Sequence, residues 1–343
     1  MSDARIPHGG NLHEAARRHG IPHDDWLDLS TGINPIGYPV PPVPADAWRR
    51  LPDDGDALAA CAAGYYHAPD AAHVLPVAGS QAAIRALPAL LPTGDAGVAA
   101  LAYGEYAPAF ARHGHRIVPL DIDANVLPAT VRHVIVGNPN NPTAECVPTE
   151  RLLGWHAQLS ARGGTLIIDE AFADTGATPS LAQYTDRQGL VVLRSVGKFF
   201  GLAGIRAGFV LAHPDLIAAL RDVLGAWTVS GPARHAVTAA FADRAWQADA
   251  RERLATDGER LATLLRTHGF AVHATPLFSW TDDPRASALH AALAARGIWT
   301  RYFAQPSSVR VGLPGCEAEW RRLAGALAGA LAECVPMLQQ VSA

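Results

Sequence analysis

The 343-residue chain carries 28 Lys and Arg against 32 Asp and Glu, a formal net charge of −4, with 49% hydrophobic and 17% charged residues. That balance excludes a disordered chain and offers no basic field to nucleic acid. The length suits one large domain or two closely associated ones, and apolar runs stop short of the roughly 18 residues that a membrane span needs.

MSDARIPHGG has no charged-then-apolar leader pattern, so a cytoplasmic protein with no membrane partner is expected. Cys61, Cys146, Cys316 and Cys334 lie far apart with no CxxC spacing, which predicts reduced structural thiols and no metal site. Lys198 is the sole lysine of the chain, among arginines.

In chain order, residues 1–45 are rich in Pro and Gly. INPIGYPVPPVP forbids a central helix, and the segment reads as an extended amino-terminal strap joining a small domain. Residues 46–225 alternate apolar segments (AGVAALA, VRHVIVGNP, GTLIIDEAF, LVVLRSV, RAGFVLA) with helical patterns. This predicts an α/β large domain, a mostly parallel sheet covered on both faces. Residues 226–343 read as a small α+β carboxy-terminal domain: long helices over about 232–268, a strand pair in FAVHATPLFSWTDD, a helix, strands in WTRYF and SSVRVGL, and a closing amphipathic helix.

Ligands collect beyond the carboxyl ends of parallel strands. Three predicted strands end in reactive or polar groups: VRHVIVG in Asn138-Pro-Asn-Asn141, TLII in Asp169-Glu170, and VVLR in Ser195-x-x-Lys198. A lysine there can form a Schiff base with an aldehyde cofactor, which an always-protonated arginine cannot do. If that cofactor is pyridoxal 5'-phosphate, Asp169 suits the ring nitrogen. The Gly-led turn Gly79-Ser80-Gln81 opens a helix and could offer amides to a phosphate, with Ser195 and Arg206 flanking Lys198. No GxGxxG follows a strand, which argues against a dinucleotide enzyme.

GSQAAI, GNPNNPTA, IDEAF and SVGKFFGLAGIRAGF, in this order and at these distances, resemble the fold-type I aminotransferase superfamily of pyridoxal-phosphate enzymes. HGGN (His8–Asn11), WLDLSTGINPIGYP and RVGLPG are most similar to its threonine-phosphate decarboxylase branch, in cobalamin biosynthesis. The resemblance implies Lys198 as the Schiff-base lysine, Asp169 as the pyridinium partner, and Asn141 as donor to the ring 3-oxygen. It implies a phosphate cradle of Gly79, Ser80, Gln81, Ser195 and Arg206, and a stacking aromatic at Tyr103 or Tyr106. For substrate it implies Arg310 on the α-carboxylate and Arg301, His8 and Gly9 on the phosphate.

Four positions depart from relatives. Leu51 replaces a tyrosine that reaches the neighbouring subunit's cofactor phosphate, Phe172 replaces a tyrosine on the ring oxygen, Ala144 replaces a glycine, and Gly32 replaces an asparagine, which leaves a substrate contact there open. The implied reaction is decarboxylation of L-threonine O-3-phosphate to (R)-1-amino-2-propanol O-2-phosphate and CO2, in a homodimer. A histidinol-phosphate-like aminotransferase and a non-catalytic binding protein are the alternatives.

Overall fold

A computed structural model describes residues 8–176 and 178–341, with side chains to residue 330. The chain divides into two compact units, residues 37–141 with 145–251, and residues 1–36 with 142–144 and 252–343. Both boundaries differ from the 45/46 and 225/226 divisions expected. Residues 37–45 begin by tying into the larger unit, where Tyr38 N donates to Phe200 O at 2.9 Å and the Tyr38 ring packs edge-on to Trp246. The helix Gly231–Ala242 belongs there too, because its buried Arg234 is paired with Asp54 and Asp56.

Strand β1 (Leu27–Asp28) lies in the smaller unit. The larger unit holds β2 (Val74–Val77), β3 (Asp95–Val98), β4 (Arg116–Pro119), β5 (Val131–Gly137), β6 (Thr165–Asp169), β7 (Leu190–Ser195) and β8 (Gly208–Ala212). They form one sheet in the order β2-β8-β7-β6-β5-β3-β4, in which β8 alone runs antiparallel to its neighbours. Continuous apolar runs such as TLII and LVVL are wholly buried, as expected of strands covered on both faces. Ile84, Leu87, Tyr106 and Phe110 from helices Ser80–Leu90 and Tyr106–Arg112 pack with Val77, Ile135, Ile167 and Leu193 of the sheet.

The smaller unit carries β9 (His273–Thr275), β10 (Phe278–Asp282), β11 (Ile298–Trp299), β12 (Arg301–Ala304) and β13 (Ser307–Gly312). β12-β13-β10-β9 is an antiparallel sheet, and β1 pairs in parallel with β11. The strap is therefore less extended than expected: Leu12–His19 is a helix stopped by Gly20 at φ 69, and β1 is part of a sheet. The proline-rich stretch 33–44 has neither helix nor strand, since proline cannot donate to either ladder. Among the described residues Cys61, Cys146 and Cys316 form no disulfide, and the side chain of Cys334 lies outside them.

Gly208 lets β8 approach the start of the Ser80 helix. A Cβ there would stand 2.7 Å from both Arg194 O and Ser80 N, all backbone atoms. Gly208→Ala is expected to destabilise the fold by about 1–3 kcal/mol, the usual cost of overpacking, read as a lower urea midpoint. An unchanged midpoint would mean that the strand tolerates the shift.

Candidate active site

A cavity of about 150 Å³ opens beyond the carboxyl ends of β5, β6 and β7 in the larger unit. All nine residues expected at a cofactor line it: Gly79, Ser80, Gln81, Tyr103, Asn141, Asp169, Ser195, Lys198 and Arg206, with Tyr106 and Phe172 beside them. The convergence follows from register. Gly137 stands opposite Asp169, and Asp169 opposite Leu193, so β5 and β6 end level and β7 runs two residues further, to Ser195. Asn138 pins the loop that carries Asn141, accepting from Val147 N at 2.9 Å and donating to Val147 O at 3.3 Å.

Asp169 is buried at the floor, and its carboxylate accepts hydrogen bonds from two neutral donors, Tyr106 O–H at 2.8 Å and Ala171 N–H at 3.1 Å. Burial pushes its carboxyl above the usual range, against the pull of those two donors and the Lys198 charge. A cationic ring N–H placed before it would relieve that burial, because opposite charge favours the ionised form. Tyr106 is almost fully buried with its hydroxyl committed to Asp169. Tyr103 is half-buried, with its hydroxyl donating to Gln81 Oε1 at 3.0 Å and its ring edge-on to Tyr106. Burial, then the charges of Glu105 and Asp169, push the Tyr103 hydroxyl up to about 12. The Lys198 Nζ lies 5.3 Å from the Phe172 ring centroid.

The helix Ser80–Leu90 starts after Gly79, which has φ 78 and no side chain over the first amides. Those amides are left to an anion. A Cβ at position 79 would meet Arg206 Nη2 at 2.5 Å, so glycine is what admits the guanidinium to this helix end. Ser80, Arg206 and Ser195 line the cavity together and could take a phosphate there.

Behind β6 and β7 lies a buried ion cluster that the sequence reading missed. Arg194 Nη1 donates to Glu170 Oε2 at 2.5 Å, its Nη2 pairs with Asp174, and its guanidinium lies over the Tyr66 ring at 4.4 Å. Burial opposes its charge, but Asp174 and Glu170 more than offset this and hold it protonated. Glu170 follows Asp169, and Arg194 precedes Ser195. The fork therefore ties together the two strand ends that carry the site.

The other expected residues belong to the smaller unit. On its antiparallel sheet, Arg301 of β12 stands directly opposite Arg310 of β13, which in turn faces Trp280 of β10. Arg310 is 5% exposed and Arg301 half-buried. Burial, then the charge of Arg301, lowers Arg310 to about 10 despite Asp28, and burial lowers Arg301 as well. His8 is exposed, and Gly9 packs on Ser30. Gly32 has φ 60 and Ala144 φ 64. Glycine and asparagine are the residues that tolerate this left-handed region, so backbone conformation accounts for their exchange at position 32, while Ala144 holds a strained turn.

A mostly parallel sheet with a lysine, a buried carboxylate and an open helix start at its carboxyl edge is the layout of an α/β enzyme. The chain belongs to the aminotransferase class I and II family, whose pattern matches residues 51–327. It is 50% identical to the threonine-phosphate decarboxylase of Pseudomonas aeruginosa over 94% of this chain and 98% of that one. It is 42% identical to the threonine-phosphate decarboxylase of a Sinorhizobium species over 95% and 98%. In fold it matches the histidinol-phosphate aminotransferase of Sinorhizobium meliloti, solved in complex with pyridoxal-5'-phosphate, with a TM-score of 0.80, 21% identity and 96% of each chain covered.

Removing Arg194 would strand two buried carboxylates. Arg194→Met is expected to lower stability by about 3–5 kcal/mol, measured by denaturant unfolding. Adding Glu170→Gln and Asp174→Asn should restore most of it. No recovery in the triple variant would show that the charges are not what couples these residues.

Proposed function

We propose that the protein is a pyridoxal-phosphate-dependent lyase that decarboxylates L-threonine O-3-phosphate to (R)-1-amino-2-propanol O-2-phosphate and CO2, in cobalamin biosynthesis. The observation that carries this reading is the opposed pair Arg301 and Arg310. Like charges directly across a sheet are destabilising, and burial adds to that cost. A substrate with two anionic groups, a carboxylate and a phosphate, offsets both. The near full-length likeness to two threonine-phosphate decarboxylases supports the same substrate.

Bound pyridoxal phosphate supplies a sink for the electron pair that departing CO2 leaves at the α-carbon. Lys198 would hold the cofactor through its amine, and the same amine, once free, could deliver a proton to the substrate α-carbon. Asp169, whose charge Tyr106 and Ala171 support against burial, would pair with a protonated ring nitrogen, each charge favouring the other. Asn141 donates to the ring 3-oxygen. Gly79, Ser80, Gln81, Ser195 and Arg206 take the cofactor phosphate. Tyr103 is assigned to the ring face, since Tyr106 is committed at the edge by Asp169. Arg310 grips the carboxylate, for which its planar fork is suited. Arg301, His8 and Gly9 take the substrate phosphate, and position 32 contributes backbone only.

We further read the protein as a cytoplasmic homodimer. Trp48 and Leu51, 69% and 68% exposed, suit burial against a second copy. None of the described helices is long and apolar enough to cross a membrane.

Supplied with cofactor and phosphothreonine, the protein should release one CO2 per amino-propanol phosphate with no need for 2-oxoglutarate. Turnover of histidinol phosphate that depends on 2-oxoglutarate would establish the aminotransferase instead. Lys198→Arg keeps the charge but should abolish turnover and the borohydride-sensitive visible band of the lysine-bound cofactor. A wild-type protein that shows no such band when cofactor is added would be a binding protein.

A further inference from the structure

Ser30 is fully buried, and its polar groups engage three neighbours, Asp28, Gly10 and Arg310. Its N–H and its Oγ–H both donate to Asp28 Oδ1, at 2.9 and 2.6 Å. The same Oγ accepts from Gly10 N at 2.8 Å. Its carbonyl accepts from Arg310 Nη2 at 2.5 Å.

Gly9 closes on the same residue. A Cβ at position 9 would stand 2.5 Å from the Ser30 carbonyl oxygen, so only glycine lets the strap lie against it. The segment that carries Ser30 is itself fastened. Leu27 N donates to Gly297 O at 2.8 Å, Leu29 N to Trp299 O at 2.8 Å, and Gly312 N to Leu29 O at 2.7 Å. Asp28 also bears on Arg310 as the one negative charge that counters its lowered basicity.

We propose that Ser30, anchored by Asp28, is a positioning residue for substrate recognition, setting the Arg310 fork through its carbonyl and the His8-Gly9-Gly10 strap through its hydroxyl. The inference rests on the reading that Arg310 meets the substrate carboxylate and the strap its phosphate.

A guanidinium is a rigid fork, so fixing one nitrogen fixes the direction of the remaining donors. A glycine pair loses more conformational freedom on ordering than any other dipeptide. One hydrogen bond from Gly10 to a buried serine therefore has a large ordering task. Because both tasks fall to one residue, the spacing between the carboxylate-binding and phosphate-binding groups is set by the length of Ser30. This makes the pair a selector for the distance between the two anions of the substrate.

The two anchors can be separated by mutation. Ser30→Ala removes the bond to Gly10 but keeps the amide bond to Asp28 and the carbonyl bond to Arg310. Asp28→Ala removes both anchors of Ser30. The experiment uses full-length holoenzyme with phosphothreonine as substrate. Two competitive probes complete it: (R)-1-amino-2-propanol O-2-phosphate, which lacks the carboxylate, and L-threonine, which lacks the phosphate.

Ser30→Ala should raise KM and the inhibition constant of the amino-propanol phosphate by about five- to tenfold, as expected for one lost hydrogen bond. Inhibition by L-threonine, kcat and cofactor affinity should stay within about twofold. Asp28→Ala should weaken both probes, and the double variant should be no worse than Asp28→Ala alone, because coupled residues are not additive. Asp28→Asn, which keeps the acceptor, should restore near wild-type constants.

Probe constants within about twofold of wild type in both alanine variants would overturn the proposal. So would a loss in which kcat, cofactor affinity and thermal stability fall together without selectivity between the probes. A wild-type enzyme that binds the amino-propanol phosphate no better than L-threonine would instead count against the phosphate reading itself, whatever the variants show.

Discussion

The active-site cavity depends on a pair of strand ends being held together, and the buried Arg194 fork is what holds them. Parallel strands joined by hydrogen bonds fix the spacing along β6 and β7, and the fork adds a side-chain tie just beyond their last paired residues, Asp169 and Leu193. Arg194 reaches from the end of β7 to Glu170, one residue beyond β6, and to Asp174 in the turn that follows. Side chains alternate across a sheet. The ion cluster on one face therefore positions Asp169 and Ser195 on the other without entering the cavity.

Charge is used in opposite ways in the two units. In the larger unit, Arg194 faces two carboxylates and its protonated state is reinforced. In the smaller unit, Arg310 faces another arginine across the sheet, and burial together with that neighbour lowers it to about 10. The first arrangement pairs opposite charges within the protein. The second sets like charges opposite each other, the feature on which the proposed dianionic substrate rests, whereas the Arg194 cluster serves architecture.

Much of this was legible in the sequence. Continuous apolar strands broken by helices gave the α/β class. The residues after VRHVIVG, TLII and VVLR pointed to the carboxyl edge because ligand sites of open sheets lie there. Other features were hidden for physical reasons. Tyr106 and Asp169 are 63 residues apart, and no local pattern announces a hydrogen bond over that separation. The opposition of Arg301 and Arg310 depends on register, which a motif does not contain. Arg194 did leave a trace, since an arginine inside an apolar strand must find countercharge, but its partners emerge only when β6 and β7 are laid side by side. The unit boundaries shifted from expectation because Tyr38 and Arg234 make long-range contacts that composition does not mark.

A decarboxylase must break the bond from the α-carbon to the carboxylate rather than the bond to hydrogen. Electrons leave the α-carbon into the cofactor ring only from a bond standing perpendicular to it. The most direct measurement is a crystal structure of the holoenzyme with an unreactive phosphothreonine analogue, read for the angle between the carboxylate bond and the ring plane. A carboxylate held by Arg310 near the perpendicular is the predicted result. A carboxylate lying in the ring plane, with hydrogen perpendicular, would contradict the assignment and point to an aminotransferase.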